Sequence, residues 1–96
     1  MYKRTTVMTL PPDAAIEHWV FPADHCAKMN STWVKRIYGE RFYSDDGRIF
    51  TTINIWEDKD AYLEFAQDPN TIIVRNSLVE WSTQHNCTLE VTEEEI

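Results

Sequence analysis

Four segments of the chain have the composition or the two-residue alternation of β-strands. The first, residues 2–10, is rich in Thr and Val and contains neither Gly nor Pro. The second and third flank Asp46-Gly47, a sequence typical of a two-residue type I′ hairpin turn. The last, residues 87–92, alternates Cys, Leu and Val with Thr and Glu. A solvated acidic tail, residues 93–96, is expected to follow it.

Helical spacing dominates the interval between the hairpin and the last strand. Asp58 is a natural N-cap, and the helix that it begins should end at Pro69. Its predicted inward face consists of Tyr62, Phe65 and Ala66. Asn70 is expected to cap a second helix, and Asn86 stands where a left-handed C-terminal cap is expected. The apolar stripe of this second helix consists of Val74, Leu78, Trp81 and His85.

The segment between the first strand and the hairpin has weaker signals. Asp13 can cap a short helix over residues 14–20, although residues 19–21 could instead be extended. A second short helix is predicted over residues 23–29, and residues 30–32 favour a loop. The predicted buried face of the first of these helices consists of Ile16, Trp19 and Val20.

The predicted hairpin has apolar side chains on both of its faces. One face pairs Tyr43 with Phe50, Arg41 with Thr52, Gly39 with Asn54, and Ile37 with Trp56. The other face consists of Tyr38, Phe42, Ile49, Ile53 and Ile55. A sheet with one face in water would alternate more cleanly between apolar and polar residues. Since a chain of 96 residues has helices for only one face, we predict that a second copy covers the other, in a homodimer.

The element order β, α, β, β, α, β, with a divided second helix, predicts an α+β ferredoxin-like domain with an antiparallel four-stranded sheet over residues 1–96. The sequence resembles the dimeric α+β-barrel superfamily, which includes the antibiotic-biosynthesis-monooxygenase-like proteins. The residues that carry this resemblance are Trp56, the run Asp58-Lys59-Asp60-Ala61-Tyr62, Phe65, Asp68-Pro69 and Arg75. The resemblance implies two sheets that meet across a dimer. The same residues and hairpin also resemble small uncharacterised proteins of tailed phages.

Charge and targeting signals restrict the partners. The formal net charge of −7 argues against nucleic acid and against an anionic membrane surface. Neither a signal peptide nor a membrane span is visible, so a cytoplasmic location is expected, in a host cell if the chain is phage-encoded. Carboxylates crowd residues 57–68. They are either a solvated helix face or a docking surface for a basic protein.

The family resemblance also bears on chemistry. Haem-degrading members use an Asn on the first strand, together with a Trp and a haem-ligating His on the divided helix. Here Phe65 and Arg75 take the Trp and His positions, and residues 2–10 contain no Asn. Haem degradation is therefore not expected, and no cofactor is predicted. Cofactor-free members need chiefly a pocket with polar groups. The residues that could line one are His18, Trp19, Tyr43, Asn54, Trp56, Phe65 and Arg75.

Two other kinds of site have weaker support. His25-Cys26 and His85 with Cys87 offer zinc ligands, but their spacing is poor, and packed residues are the ordinary explanation. Cys26 near a helix start could be a nucleophile, although free cysteine most often packs in a core. We therefore predict a homodimeric binding or regulatory protein. The alternative is a cofactor-independent monooxygenase or isomerase that acts on a small aromatic substrate.

Overall fold

The sheet is antiparallel throughout and has the ferredoxin-like strand order. The computed structural model of the chain describes residues 1–29 and 35–96, so the predicted loop at 30–32 lies outside the described residues. In chain order, the elements within them are β1 (Tyr2–Thr9), α1 (Ala23–Met29), β2 (Arg36–Tyr43), β3 (Ile49–Trp56), α2 (Lys59–Gln67), α3 (Pro69–Gln84) and β4 (Thr88–Glu95). The strand order is β2-β3-β1-β4, which confirms the predicted fold class.

The turn between β2 and β3 differs from the predicted type. Ser44 N–H donates to the carbonyl of Ile49 at 2.8 Å, and Gly47 N–H donates to the carbonyl of Ser44 at 2.8 Å. Gly47 has a φ of 75°, whereas Asp46 is not among the residues with positive φ. A type I′ turn needs positive φ at both central positions, so the two-residue prediction is wrong. The Asp46 carboxylate instead closes a longer loop by accepting from the Ser44 hydroxyl and the Arg48 N–H.

The register of the hairpin is as predicted over most of its length. Residues 39–43 pair with residues 50–54 as expected, from Tyr43 opposite Phe50 to Gly39 opposite Asn54. A bulge then shifts β2 by one position, so that Arg36 and not Ile37 lies opposite Trp56. The predicted pairing of Ile37 is therefore wrong, and its side chain is 55% exposed. An extra residue in one strand reverses the faces of the sheet on which the side chains beyond it lie.

The helices cover one face of the sheet and enclose two clusters of buried side chains. The clusters consist of Met8, Trp19, Phe50 and Val74, and of Tyr2, Trp56 and Ala61. The other side of β2 and β3, which we call the open face, bears Tyr38, Phe42, Ile49, Ile53 and Ile55. On the open face Tyr38 is 46%, Phe42 44% and Ile49 37% exposed. Both faces of the hairpin therefore carry large apolar side chains, as the alternation predicts.

The predicted helix over residues 14–20 is wrong. After a turn near Pro12, the chain has no regular structure until α1 begins. One nitrogen of the Arg48 guanidinium donates to the carbonyls of Pro11 and Ala14, both at 2.9 Å. The Ala14 carbonyl is therefore engaged by a tertiary contact instead of a helical hydrogen bond. Within residues 19–21 the two outer aromatic side chains pack on the core while Val20 is 81% exposed, an alternation that suits the extended alternative.

Asp68 joins α2 to α3. Its carboxylate oxygen Oδ1 accepts hydrogen bonds from the N–H groups of Asn70 at 2.9 Å and Thr71 at 3.3 Å. Pro69 occupies the start of α3, a position where its missing N–H costs nothing. The N-cap is therefore Asp68, and the prediction that Asn70 caps this helix is wrong.

Replacing Asp68 by alanine should destabilise the protein by about 1 kcal/mol, because two N–H groups at the start of α3 lose their acceptor. Replacement by asparagine keeps an acceptor oxygen and should cost much less. Urea unfolding of Asp68→Ala and Asp68→Asn measures both values. Equal losses in the two variants would show that the cap does not stabilise the junction.

The N-cap of α2 and the left-handed residue after α3 agree with the predictions, whereas the end of β4 differs. Asp58 caps α2 by accepting from the N–H of Ala61 at 2.8 Å, and Asn86 has a φ of 56°, as expected. Strand β4, however, continues to Glu95, so the predicted acidic tail is wrong. Glu93 lies opposite Arg4 and Glu94 opposite Lys3 on β1, which is a stabilising cross-strand arrangement. In the described part of the chain, no helix combines the length and apolar character needed to cross a membrane.

Candidate functional site

A cleft lies between the helix-covered face of the sheet and helices α2 and α3. Its volume is about 760 Å³, within the range that is usual for small-molecule sites. We call it the main cleft. The apolar and aromatic side chains that line it include Trp19, Phe21, Phe50, Trp56, Tyr62, Phe65, Val74, Leu78, Leu89 and Val91. Most of its wall is therefore suited to a flat, apolar molecule.

The charges in the main cleft contrast with those of the whole chain. Four of the five arginines line it, namely Arg4, Arg36, Arg41 and Arg75. Of the sixteen carboxylate residues, all within the described part of the chain, Glu40 lines it. A chain with a net charge of −7 thus gathers its guanidinium groups around one apolar cavity. Low-dielectric walls lined by one sign of charge concentrate ligands of the opposite sign.

The bulge in β2 places Arg36 in the main cleft. Without the extra residue, Ile37 would face the helices and Arg36 would lie on the open face. The guanidinium donates from Nη1 to Oδ1 of Asn54 at 3.2 Å. A Cβ atom on Gly39 would lie 2.4 Å from the same nitrogen, so the glycine makes room for the guanidinium. Burial lowers the pKa of Arg36, which reflects the loss of water around this charge.

Two more arginines are held by aromatic rings. The Arg4 guanidinium lies 4.8 Å from the centre of the Tyr62 ring and forms an ion pair of 2.5 Å with Glu93. The Arg41 guanidinium lies 3.7 Å from the centre of the Phe21 ring. Such cation–π contacts orient a guanidinium without neutralising it. Arg41 therefore presents a positive charge to the main cleft.

Two buried polar atoms of residues that line the main cleft have no hydrogen-bond partner among the described residues. They are Nε1 of Trp56, whose side chain is 1% exposed, and Oγ1 of Thr71, which is 5% exposed. Buried donors in folded proteins are nearly always paired. These two groups are therefore exceptions, buried donors in residues of the cleft wall without a partner in the described part of the chain.

A second, smaller cavity of about 270 Å³ adjoins the main cleft near the outer strand β2. We call it the side compartment. Its lining residues are Trp19, Phe21, Arg41, Phe42, Tyr43 and Phe50. Burial raises the pKa of the Tyr43 hydroxyl, which keeps this group neutral. The side compartment is thus more uniformly aromatic than the main cleft.

Five of the seven residues predicted for a pocket line the main cleft: Trp19, Asn54, Trp56, Phe65 and Arg75. The other two lie outside it. His18 stacks on Tyr43 with ring centres 3.8 Å apart, and Tyr43 lines the side compartment. The role of all seven in ligand binding stays a prediction.

Three of the four arginines that line the main cleft, namely Arg4, Arg36 and Arg41, are not among the residues predicted for the pocket. A signal for Arg4 existed, because pairing β1 to β3 places it opposite Asn54, a residue already assigned to the pocket. Arg41 was already assigned to the same face of the hairpin as Asn54. No comparable signal marks Arg36, since the bulge that turns it inward is not visible in the alternation of β2.

The histidines proposed as metal ligands are engaged elsewhere. Nδ1 of His25 lies 3.1 Å from Oδ1 of Asn70, and Nε2 of His85 lies 2.6 Å from Oε2 of Glu17. A hydrogen bond to the Trp81 carbonyl, followed by the Glu17 carboxylate, raises the pKa of His85. Within residues 1–29 and 35–96, no three or more His, Cys, Asp or Glu side chains are placed so that they could hold a metal ion together. The side chain of Cys26, the proposed nucleophile, lies outside the described part.

Comparisons with known proteins agree on the fold. No protein-family model and no curated protein matches the sequence. An antibiotic biosynthesis monooxygenase structure matches with a TM-score of 0.68 and 16% identity, over 100% of this chain and 98% of the other. SnoaB, a cofactor-independent oxygenase from Streptomyces nogalater, matches with a TM-score of 0.65 and 13% identity, over 99% and 91%. A Mycobacterium tuberculosis protein matches with a TM-score of 0.61 and 14% identity, over 100% and 95%.

Identities this low, over nearly complete chains, establish a common architecture and leave the activity open. The strand order, the helices on one face and the division of the second helix at Asp68-Pro69 all agree with the resemblance seen in the sequence. The chain therefore has the ferredoxin-like α+β fold of the antibiotic-biosynthesis-monooxygenase structures.

Proposed function

We propose that the chain binds a small aromatic anion in the main cleft. The observation that carries this proposal is the placement of four of the five arginines in an aromatic-lined cavity of an acidic protein. The aromatic walls offer stacking surface to a planar molecule, and the guanidinium groups offer charge-assisted hydrogen bonds to a carboxylate or phenolate. The excess of arginine over carboxylate residues in its lining would repel cations and favour anions.

The binding proposal is tested with 1-hydroxy-2-naphthoate, a fluorescent aromatic anion, in a titration of the purified protein. Replacing Arg75 by glutamine should weaken binding about tenfold, since hydrogen bonds to charged groups contribute roughly 1.5–3 kcal/mol. Arg75 is exposed on α3, so this variant should fold normally. The matched control is Lys59→Gln, which removes the same charge from an exposed position outside the cleft.

A neutral probe, 2-naphthalenemethanol, separates charge from packing. Its affinity should change little in Arg75→Gln, because the lost interaction requires an anion. Absence of saturable binding of 1-hydroxy-2-naphthoate would contradict the proposal. An equal loss of affinity for both probes would mean that Arg75 contributes packing and no charge recognition.

A second candidate function is the oxygenation of a phenol without a cofactor. It is favoured by Asn54 and Arg75, which both line the cleft while its aromatic residues leave a volume of about 760 Å³. The fold likeness to SnoaB is consistent with it. The guanidinium groups would stabilise a phenolate, which is electron-rich enough to react with O₂. In the overall reaction the ring loses two hydrogen atoms and gains one oxygen atom, and the second oxygen atom leaves as water.

The oxygenase candidate is tested with 1,5-dihydroxynaphthalene, whose oxygenation consumes one O₂ and gives the coloured quinone juglone and one water. Oxygen uptake and juglone absorbance are measured together, in buffer containing a metal chelator. We expect turnover above the buffer rate, reduced about tenfold in Arg75→Gln by the loss of phenolate stabilisation. Tight binding of the naphthoate without oxygen uptake would leave the chain a binding protein.

We also propose that a second copy of the chain covers the open face. Three of its large apolar side chains, Tyr38, Phe42 and Ile49, are more than a third exposed, and they lie on the same face of β2 and β3. Exposed apolar patches of this kind mark protein–protein contact surfaces. Burial of this patch in a homodimer would remove it from water and leave the main cleft, on the opposite side of the sheet, accessible.

A further inference from the structure

The side compartment and the main cleft lie next to each other. They share four lining residues, namely Trp19, Phe21, Arg41 and Phe50. Trp19 and Phe50 are 8% and 5% exposed, so they form a fixed common wall. Phe42 and Tyr43 line the side compartment and are absent from the lining of the main cleft.

The dimensions of the side compartment suit a single aromatic ring. An apolar cavity of about 150 Å³ is already sufficient to bind benzene. The side compartment, at about 270 Å³, therefore has room for one ring and the bond that links it to a larger body. Its walls offer stacking and edge contacts, since Tyr43 and Phe50 have ring centres 4.8 Å apart.

Arg41 and Phe21 stand between the two cavities. Both line each cavity, and the guanidinium of Arg41 lies 3.7 Å from the centre of the Phe21 ring. Arg41 is an exposed residue of β2, whereas Trp19 is buried and donates from Nε1 to Oγ of Ser77 at 3.1 Å. Arg41 is therefore an exposed residue between the two cavities, and its side chain can move without disturbing the core.

We propose that the ligand is an elongated aromatic anion whose anionic body occupies the main cleft and whose second ring passes Arg41 into the side compartment. This inference rests on the proposed binding of aromatic anions. It adds that the size of the molecule is read by Tyr43, which lines the side compartment and not the main cleft. Arg41 then contacts both parts of the ligand, its charge near the body and its stacked plane near the second ring.

The test compares 1-hydroxy-2-naphthoate with its 5-, 6- and 7-phenyl derivatives in titrations of the full chain. At least one phenyl derivative should bind about tenfold more tightly than the parent, because the added ring gains aromatic contacts. In Tyr43→Leu this gain should fall to less than twofold, because the derivatives lose affinity by a larger factor than the parent compound. Circular dichroism and thermal melting establish that each variant is folded.

The matched control is Val79→Ala, which shortens a half-exposed side chain that lines the main cleft and not the side compartment. It should weaken the parent and the phenyl derivatives by the same factor. The inference is overturned if no phenyl derivative binds more tightly than the parent, or if Tyr43→Leu weakens parent and derivatives equally. If the parent itself does not bind, the proposed function is contradicted. Binding of the phenyl derivatives would then show by itself whether the side compartment binds a ring.

Discussion

Replacing Trp56 by alanine should lower the free energy of unfolding by about 3–5 kcal/mol. Trp56 is the most deeply buried large side chain among the described residues, with 1% of its surface exposed. Its ring centre lies 4.8 Å from that of Phe65 and 6.3 Å from that of Tyr62. The truncation removes these contacts and leaves a cavity where β3 meets α2.

Urea unfolding at a fixed protein concentration measures this effect, since association would make the apparent stability depend on concentration. The control is Val20→Ala, because Val20 is 81% exposed and its truncation should change the stability by no more than about 0.5 kcal/mol. Trp56→Phe should give an intermediate loss. A loss below about 1 kcal/mol in Trp56→Ala would contradict the assignment of Trp56 to the core.

Replacing Ile53 by lysine should convert the proposed dimer into a monomer. Ile53 lies on the open face in the middle of β3, where a charged side chain would be buried without a partner if a second copy packed on it. Lysine suits the monomer, however, because Glu40 lies directly opposite on β2 and opposite charges in this arrangement are stabilising. The substitution therefore acts against association and not against folding.

Size-exclusion chromatography with light scattering measures the mass of each variant at micromolar concentration. We expect the wild-type protein at twice the mass of one chain and Ile53→Lys at the mass of one chain. Leu63→Lys places the same side chain at a position on α2 that is 39% exposed, and it should stay dimeric. A monomeric wild type would refute the homodimer. A dimeric Ile53→Lys would place the interface elsewhere.

Features that depend on near neighbours in the chain were predicted well. Asp58 caps α2 and Asn86 adopts a left-handed conformation because each needs only the adjacent backbone. The register of the hairpin followed from the β-prone residues on either side of residues 46–47, even though the turn type was wrong. A longer loop with the same midpoint leaves the pairs from Tyr43 with Phe50 to Gly39 with Asn54 in the same register.

Features that depend on distant residues were predicted poorly. The helix over residues 14–20 does not form, because Arg48 binds a carbonyl that the helix would need and Trp19 is buried by contacts with the core. The acidic residues 93–95 are in a strand and not in a tail, because β1 supplies the pairing partner. In each case a tertiary contact outweighs a local preference that is worth less than about 1 kcal/mol per residue.

The sequence by itself determined the fold class, the hairpin register, the division of the second helix and the apolar character of both hairpin faces. These follow from alternation, spacing and capping, which act over a few residues. Only the tertiary structure decided that four arginines line the main cleft together. Arg4, Arg36, Arg41 and Arg75 are scattered over three elements, and their grouping depends on strand pairing and on one bulge. A single inserted residue reverses the faces of a strand, so the charge of the cleft was fixed by long-range register and not by local pattern.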